Sequence, residues 1–290
     1  MENLQTYLNI SDAYDYVSFQ ALAFLALAIV LFWLGKLFND LVTPYKINEE
    51  LGSKDNKALA LSYIGYLVAQ GIIILGVFGG PSKAFVPDLI STGIWGLVGI
   101  VLLNFARFLN DTLVLRKFKN VKEIIEDRNV GTGAVEFGSY VGIGFVIKSI
   151  VTGESEGLQS DIIGTIIFFV AAQVAFIVFS MLYQIITKYD IHDEIEKDNA
   201  AAGVSFGLTL VAIGIIISNT IALTNSLVAL AFWFVNGVVL IIASRFLVDI
   251  LILPGHKLDD EISRDKNWGV ALIEGGSAVV VAFLLNASFA

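Results

Sequence analysis

The 290-residue chain has no cysteine, only two histidines and only four prolines, and 16% of its residues are charged. Without cysteine there are no disulfides, thiolate metal sites or cysteine nucleophiles. His192 and His256 both fall in polar connecting segments. No GxSxG elbow, phosphate-binding loop or intramembrane histidine-plus-acid set accompanies them, so the chain is not expected to be an enzyme. His192 with Glu196 and His256 with Asp260 have a four-residue spacing that could suit a metal. The first half has no equivalent histidine, and neither a metal nor another cofactor is expected. Pro44, Pro81, Pro87 and Pro254 all lie between the long apolar runs, where a missing backbone donor is harmless. Those runs are therefore expected to form largely unbroken helices.

What the chain has in abundance is apolar surface: 56% hydrophobic residues and a mean hydropathy of +0.78, outside the range of soluble domains. Eight apolar runs reach the length of about 20 residues needed to cross a hydrocarbon core of about 30 Å. They are placed at Phe19 to Phe38, Ala58 to Val77, Leu89 to Leu109, Val130 to Ile147, Ile162 to Ile186, Ala200 to Ile221, Leu227 to Leu251 and Trp268 to Phe289. The expected fold class is an all-α polytopic membrane protein, eight transmembrane helices built as four helical hairpins. The first eighteen residues hold no Lys or Arg and three acidic groups. They lack the cationic start of a cleavable signal peptide, so the first helix is expected to be a retained anchor.

A net charge of -9 argues against nucleic acid as a partner. In a membrane chain the sidedness of the cations says more than their sum. The connections after spans one, three, five and seven, with their flanking helix ends, carry 16 of the 18 Lys and Arg residues; Lys83 and Lys148 lie on the other side. The positive-inside rule places those connections in the cytoplasm and both termini outside.

Each of these connections carries one pattern: "INEELGSKDNKALALSYIG" from Ile47, "VKEIIEDRNVGTGAVEFG" from Val121, "IHDEIEKDNAAAGVSFG" from Ile191 and "LDDEISRDKNWGVALIEGG" from Leu258. An acidic amphipathic turn leads to a charged cluster, an Asn, and then a small-residue helix. The anchors Asn56, Asn129, Asn199 and Asn267 are 73, 70 and 68 residues apart. An Asn before an apolar helix is expected to cap its free amides at the membrane boundary. A docking ring formed by the acidic segments is the functional alternative.

The pattern also has a longer period. Trp95 to Arg107 and Trp233 to Arg245 are both 12 residues, and Arg107 to Glu136 and Arg245 to Glu274 are both 29. The chain reads as a tandem duplication of a four-helix half, residues 1–156 and 157–290. An even number of spans per half inserts both the same way up, around a pseudo-two-fold along the membrane normal. The even-numbered spans hold 14 glycines against 6 in the odd ones, and 5 phenylalanines against 13. A core of small-residue even helices, surrounded by aromatic odd ones, is the expectation.

The acidic lead-in, the Asn anchor, the small-residue helix and the preceding R-F-L-x-D helix resemble the bacterial membrane family named domain of unknown function three hundred and fifty. The likeness covers nearly the whole chain as two copies. It implies a bacterial inner-membrane protein and brings no activity with it.

Glu136 and Glu274 sit seven residues past Asn129 and Asn267, roughly 10 Å into the membrane, where an ionisable group is costly unless paired or hydrated. Arg107 and Arg245, on the preceding helices, fall at a similar depth. The expected pairs are Arg107 with Glu136 and Arg245 with Glu274, within about 4 Å, with Asp111 and Asp249 placed to share the arginines. Such pairs either fix helix register or line a hydrated path. Gln70, Asn104, Gln173, Gln184 and Asn236 are expected to bond between helices. The function expected is a channel or transporter for a small ion or solute; the alternative is a non-transporting scaffold whose acidic loops bind a cytoplasmic membrane-stress or remodelling partner. Besides the lipid bilayer, self-association is left open.

Overall fold

The computed structural model describes residues 19–80, 84–115, 117, 119–152 and 157–288. The first eighteen residues, Pro81, Lys83, Arg116 and the Gly153 end of the repeat junction lie outside them. Among the described residues, eight long helices alternate in pairs with four short ones. The long helices are α1 (Phe19–Val42), α3 (Lys57–Phe78), α4 (Phe85–Leu109), α6 (Val130–Val151), α7 (Leu158–Ile186), α9 (Ala200–Thr224), α10 (Leu227–Leu247) and α12 (Trp268–Ser288). The short ones are α2 (Ile47–Gly52), α5 (Asn120–Ile125), α8 (Ile191–Glu196) and α11 (Leu258–Ser263). All eight long helices are long and apolar enough to cross a membrane.

Two expectations need correction. Pro87 lies inside α4, which starts at Phe85 rather than Leu89; first-turn amides have no intrahelical acceptor, so the ring removes no bond there. The spans are also not uniform to their ends, because α4 and α10 run on into π turns at Asn110–Val114 and Val248–Ile252.

The glycine-rich helices α3, α6, α9 and α12 form a single row, each packed on the next in sequence. They are apolar all round, so residue size rather than an amphipathic stripe decides which faces meet. A Cβ at Gly138 would overlap the Gly207 carbonyl, and one at Gly65 would lie 2.5 Å from the Phe137 Cα. Only glycine permits that backbone-to-backbone approach. The other long helices sit in the grooves: α4 against α3 and α6, α7 against α6 and α9, α10 against α9 and α12, while α1 packs on α3 and α4 at one end. Burial follows position in the row, 72% and 89% of the apolar stretch for α6 and α9, but 50% for α3 and 33% for α12. The last helix is thus no more buried than α10, also at 33%, because among the described residues no further helix of the row lies beyond it.

Candidate functional site: two buried charged clusters

The site is built from the four connections. Two or three residues after each short helix, a non-glycine residue takes a left-handed backbone: Asp55 (φ 49), Arg128 (φ 56), Asp198 (φ 57) and Lys266 (φ 49). That conformation costs about 1–2 kcal/mol for a residue with a Cβ, and the Asn that follows offsets it. The side-chain oxygens of Asn56, Asn129 and Asn267 accept from the amides of Leu59 (3.0 Å), Thr132 (3.0 Å) and Val270 (3.2 Å). Asn199 accepts from Ala201 at 3.1 Å and Ala202 at 3.3 Å. Each Asn amide also donates to the glutamate of its own short helix: Glu50, Glu123, Glu194 and Glu261. The same amides reach the next unit, Asn56 to the Ile124 carbonyl (2.9 Å), Asn129 to Ile195 (2.6 Å) and Asn199 to Ile262 (2.9 Å). Cap, anchor and unit-to-unit link are one side chain.

These bonds leave an electrostatic trace outside the membrane. Burial raises the Glu50 carboxyl, but hydrogen bonds from Lys54 and Asn56 outweigh it and hold the group below its usual range. Hydrogen bonds from Asn267 and His256 hold Glu261 down in the same way. At Asp190, burial is outweighed by Lys117, which reaches across from the preceding unit, and by the Asp193 amide. His256 Nδ1 lies 2.8 Å from Glu261, and His192 Nε2 lies 2.8 Å from the Val114 carbonyl. Both rings have partners other than the acid four residues on.

Deeper in the second half, Arg245 and Glu274, 7% and 3% exposed, are in direct contact through Nη1 and Oε1. The other carboxylate oxygen accepts from Ser205 at 2.7 Å, and Tyr183 donates to Oε1 at 3.1 Å. The second arginine nitrogen, Nη2, contacts Asp259 at the start of α11, and the guanidinium carbon stands 5.9 Å from the centre of the Tyr183 ring. One cation thus bridges two carboxylates, with hydroxyls filling the remaining positions. A cavity of about 10 Å³ lies beside it, lined by Thr209, Ser244 and Ala278 among others, on the scale of a single water.

The first half differs. Glu136, 3% exposed, accepts from Ser62, but among the described residues no ion pair within 4 Å joins it to Arg107. Arg107 instead pairs with Asp111, Nε to Oδ2 at 3.7 Å, and stands 6.0 Å from the centre of the Tyr45 ring. Asp111 also accepts from Asn120 at 2.7 Å. The expectation that Asp249 shares Arg245 is corrected too, since Asp249 accepts from the Leu258 amide at 2.9 Å. Both halves carry the π turn, and Asp111 and Asp249 each bond the first residue of the short helix that follows, Asn120 and Leu258; among the described residues Asp111 alone of the two also pairs with its arginine.

Residue-pattern reasoning missed Ser62, Ser205, Tyr183 and Asp259. Ser62 and Ser205 carried a usable signal, since both stand six residues after a boundary Asn, in the first and third units. Tyr183 and Asp259 carried none. Of the other polar residues, Asn104 donates to Tyr66 at 2.9 Å. Gln184 donates to the Tyr189 carbonyl and accepts from the Ile191 amide, each at 2.9 Å. Asn236 bonds only within its own helix, to the Phe232 carbonyl. Among the described residues, the amide nitrogens of Gln70 and Gln173 are buried with no hydrogen-bond partner.

The family described as Domain of Unknown Function (DUF350) matches this chain over residues 10–151 and again over 157–289. A "UPF0719 transmembrane protein" of Aquifex aeolicus (strain VF5) is 23% identical over 266 residues, covering 88% of this chain and 96% of that protein. The "UPF0719 transmembrane protein YshE" of Bacillus subtilis (strain 168) is 26% identical over 133 residues, 46% of this chain but 98% of that protein. No solved structure matches. With nearly every residue falling in one of two tandem matches, this chain belongs to the Domain of Unknown Function (DUF350) family of integral membrane proteins.

Proposed function

We propose that the chain is a non-catalytic scaffold of the bacterial inner membrane. Its four hairpin units share one orientation, with both termini outside and the short helices facing a cytoplasmic partner. The sidedness rests on the cation distribution, 16 of 18 on the side of the short helices. Exposed Glu49, Asp193, Glu196 and Asp260 supply the charged outer surface of those helices. The observation that carries the reading is the closure of the second cluster. Glu274 and Arg245 are bonded to each other and to Ser205, Tyr183 and Asp259, with room beside them for about one water. A conducting site has to bind its ion weakly enough to release it, and a carboxylate held by an arginine and two hydroxyls is poorly suited to exchange. Such a pair suits fixing helix register.

One observation favours the second reading, a channel or transporter for a small ion or solute. Glu136 is buried in the middle of the row, yet its one hydrogen bond is from Ser62 and no arginine lies within 4 Å among the described residues. It is the carboxylate free to carry a proton or meet a cation. Purified protein in liposomes separates the two. Under an imposed potential, the scaffold reading expects proton and potassium flux equal to that of empty vesicles. Flux that disappears in Glu136→Gln with the fold intact would replace it with the conducting one.

A further inference from the structure

The row has two ends, and they match. Each inner helix meets the next in the same register, counted from its boundary Asn. Position nine on one meets position eight on the next: Gly65 on Phe137, Gly138 on Gly207, Leu208 on Gly275. Position twenty meets nineteen, as a Cβ at Gly76 would lie 3.0 Å from the Lys148 Cα, and Ser149 and Ser218 are 2.6 Å apart through their hydroxyls.

Among the described residues, the last helix carries the leading face with nothing against it. Gly269 and Gly276 stand at the positions of Gly131 and Gly138, which press on the α9 backbone. A Cβ at Gly276 would meet nothing within 4 Å, and one at Gly269 only its own Asn267 at 3.4 Å. Among the described residues, the first inner helix carries the receiving face uncovered: Ala60 is exposed, and Ile64 and Leu75, at positions eight and nineteen, are 46% and 63% exposed. The polar link is incomplete at the same two ends. Among the described residues, Asn267 donates to Glu261 but to no carbonyl of another unit, and the Leu51 carbonyl, equivalent to those of Ile124, Ile195 and Ile262, receives no side-chain hydrogen bond.

We propose that a second copy of this chain docks head to tail in the plane of the bilayer, α12 of one copy against α3 of the next. The contact continues one that the chain already makes three times within itself. Asn267 of the first copy then donates to the Leu51 carbonyl of the second. The second copy's α1, which packs on α3 and α4, fills the groove as α4, α7 and α10 fill theirs. The interface is heterologous, so each added copy leaves a fresh end, and the assembly is a ring or an extended row. The Bacillus subtilis relative, 98% of which is matched by 133 residues of this chain, shows that the number of units per polypeptide varies in the family. Nothing here depends on the scaffold reading, and assembly is compatible with flux or its absence.

Because the chain has no cysteine, disulfide trapping has no background. Leu75 and Ala287, at positions nineteen and twenty, are both exposed and become the counterparts of Ser218 and Ser149. In oxidised membranes, Leu75→Cys with Ala287→Cys should link most of the chain into a ladder of multimers. The two single variants, co-expressed with different tags, should give one mixed dimer, and each alone should stay monomeric. Adding Gly276→Trp to the pair should abolish the ladder without altering elution in detergent. A double variant that stays monomeric, single variants that link as readily as the pair, or a ladder indifferent to Gly276→Trp would each overturn the proposal.

Discussion

Arg245→Met is expected to be the most damaging single change in the charged clusters, more damaging than loss of its partner Glu274. Arg245 is the one cation between two carboxylates, Glu274 at 3% and Asp259 at 15% exposure. Removing it strands Glu274 in the core, and breaking a buried pair by losing one partner typically costs about 3–5 kcal/mol. Glu274→Gln leaves Arg245 with Asp259 and keeps acceptors for Ser205 and Tyr183. Its cost is closer to that of one charged hydrogen bond, about 1.5–3 kcal/mol. The double variant also removes the stranded Glu274 charge and leaves unpaired only Asp259, the more exposed of the two, at the start of α11, so it should regain much of what Arg245→Met loses. Reversible unfolding in mixed micelles by titration with sodium dodecyl sulfate, followed by circular dichroism, measures all three. The reasoning fails if Glu274→Gln costs as much as Arg245→Met, or if the double variant is no better than Arg245→Met alone.

Glu136→Gln, with no close arginine to strand, should cost less than Glu274→Gln in the same titration; equal losses would mean that the first-half pair forms after all. Asn199→Ala removes a cap and a link between units and should cost about 1–3 kcal/mol, whereas Asn267→Ala, lacking the link, should cost about 1 kcal/mol in the detergent-solubilised single copy. Gly138→Ala forces apart α6 and α9 and should cost about 1–3 kcal/mol, while Gly276→Ala in that single copy should be neutral. Lys117 and burial act oppositely on Asp190, and the net effect lowers its pKa. The folded chain then binds that proton less tightly than the unfolded one, so the contribution is present above the unfolded value and lost as pH falls below about 4. Lys117→Met should flatten stability between pH 6 and about 3, by a small amount because the pair is well exposed.

The eight spans and the four boundary asparagines were legible because each depends on local chemistry: length and hydropathy for a span, capping for Asn56, Asn129, Asn199 and Asn267. The row was less legible. Counting glycines correctly separates inner from outer helices, but it does not say that α3 and α12 are the ends of an open series, which depends on which faces meet. The Arg107 and Glu136 pairing failed for a local reason. Equal spacing, 29 residues in both halves, fixes depth along the helices but not rotation about them. Asp111 holds the arginine in the first half. In the second half Asp249 caps α11 instead, leaving Arg245 to Glu274 and Asp259. Asp259 lies beyond the end of the preceding helix, where spacing arguments about antiparallel helices have no reach.

Whether the buried charges are sealed from water is open to direct measurement. Thr209, 1% exposed, lines the small cavity beside Glu274, and Ser62, 3% exposed, bonds Glu136. In the cysteine-free chain, Thr209→Cys and Ser62→Cys can each be probed in sealed membranes with a membrane-impermeant methanethiosulfonate reagent applied from either face. The scaffold account predicts that both thiols stay unmodified from both sides in the folded protein and react fully once it is unfolded in detergent. Rapid modification of either thiol in the folded protein would reveal a hydrated route to the carboxylates and contradict it.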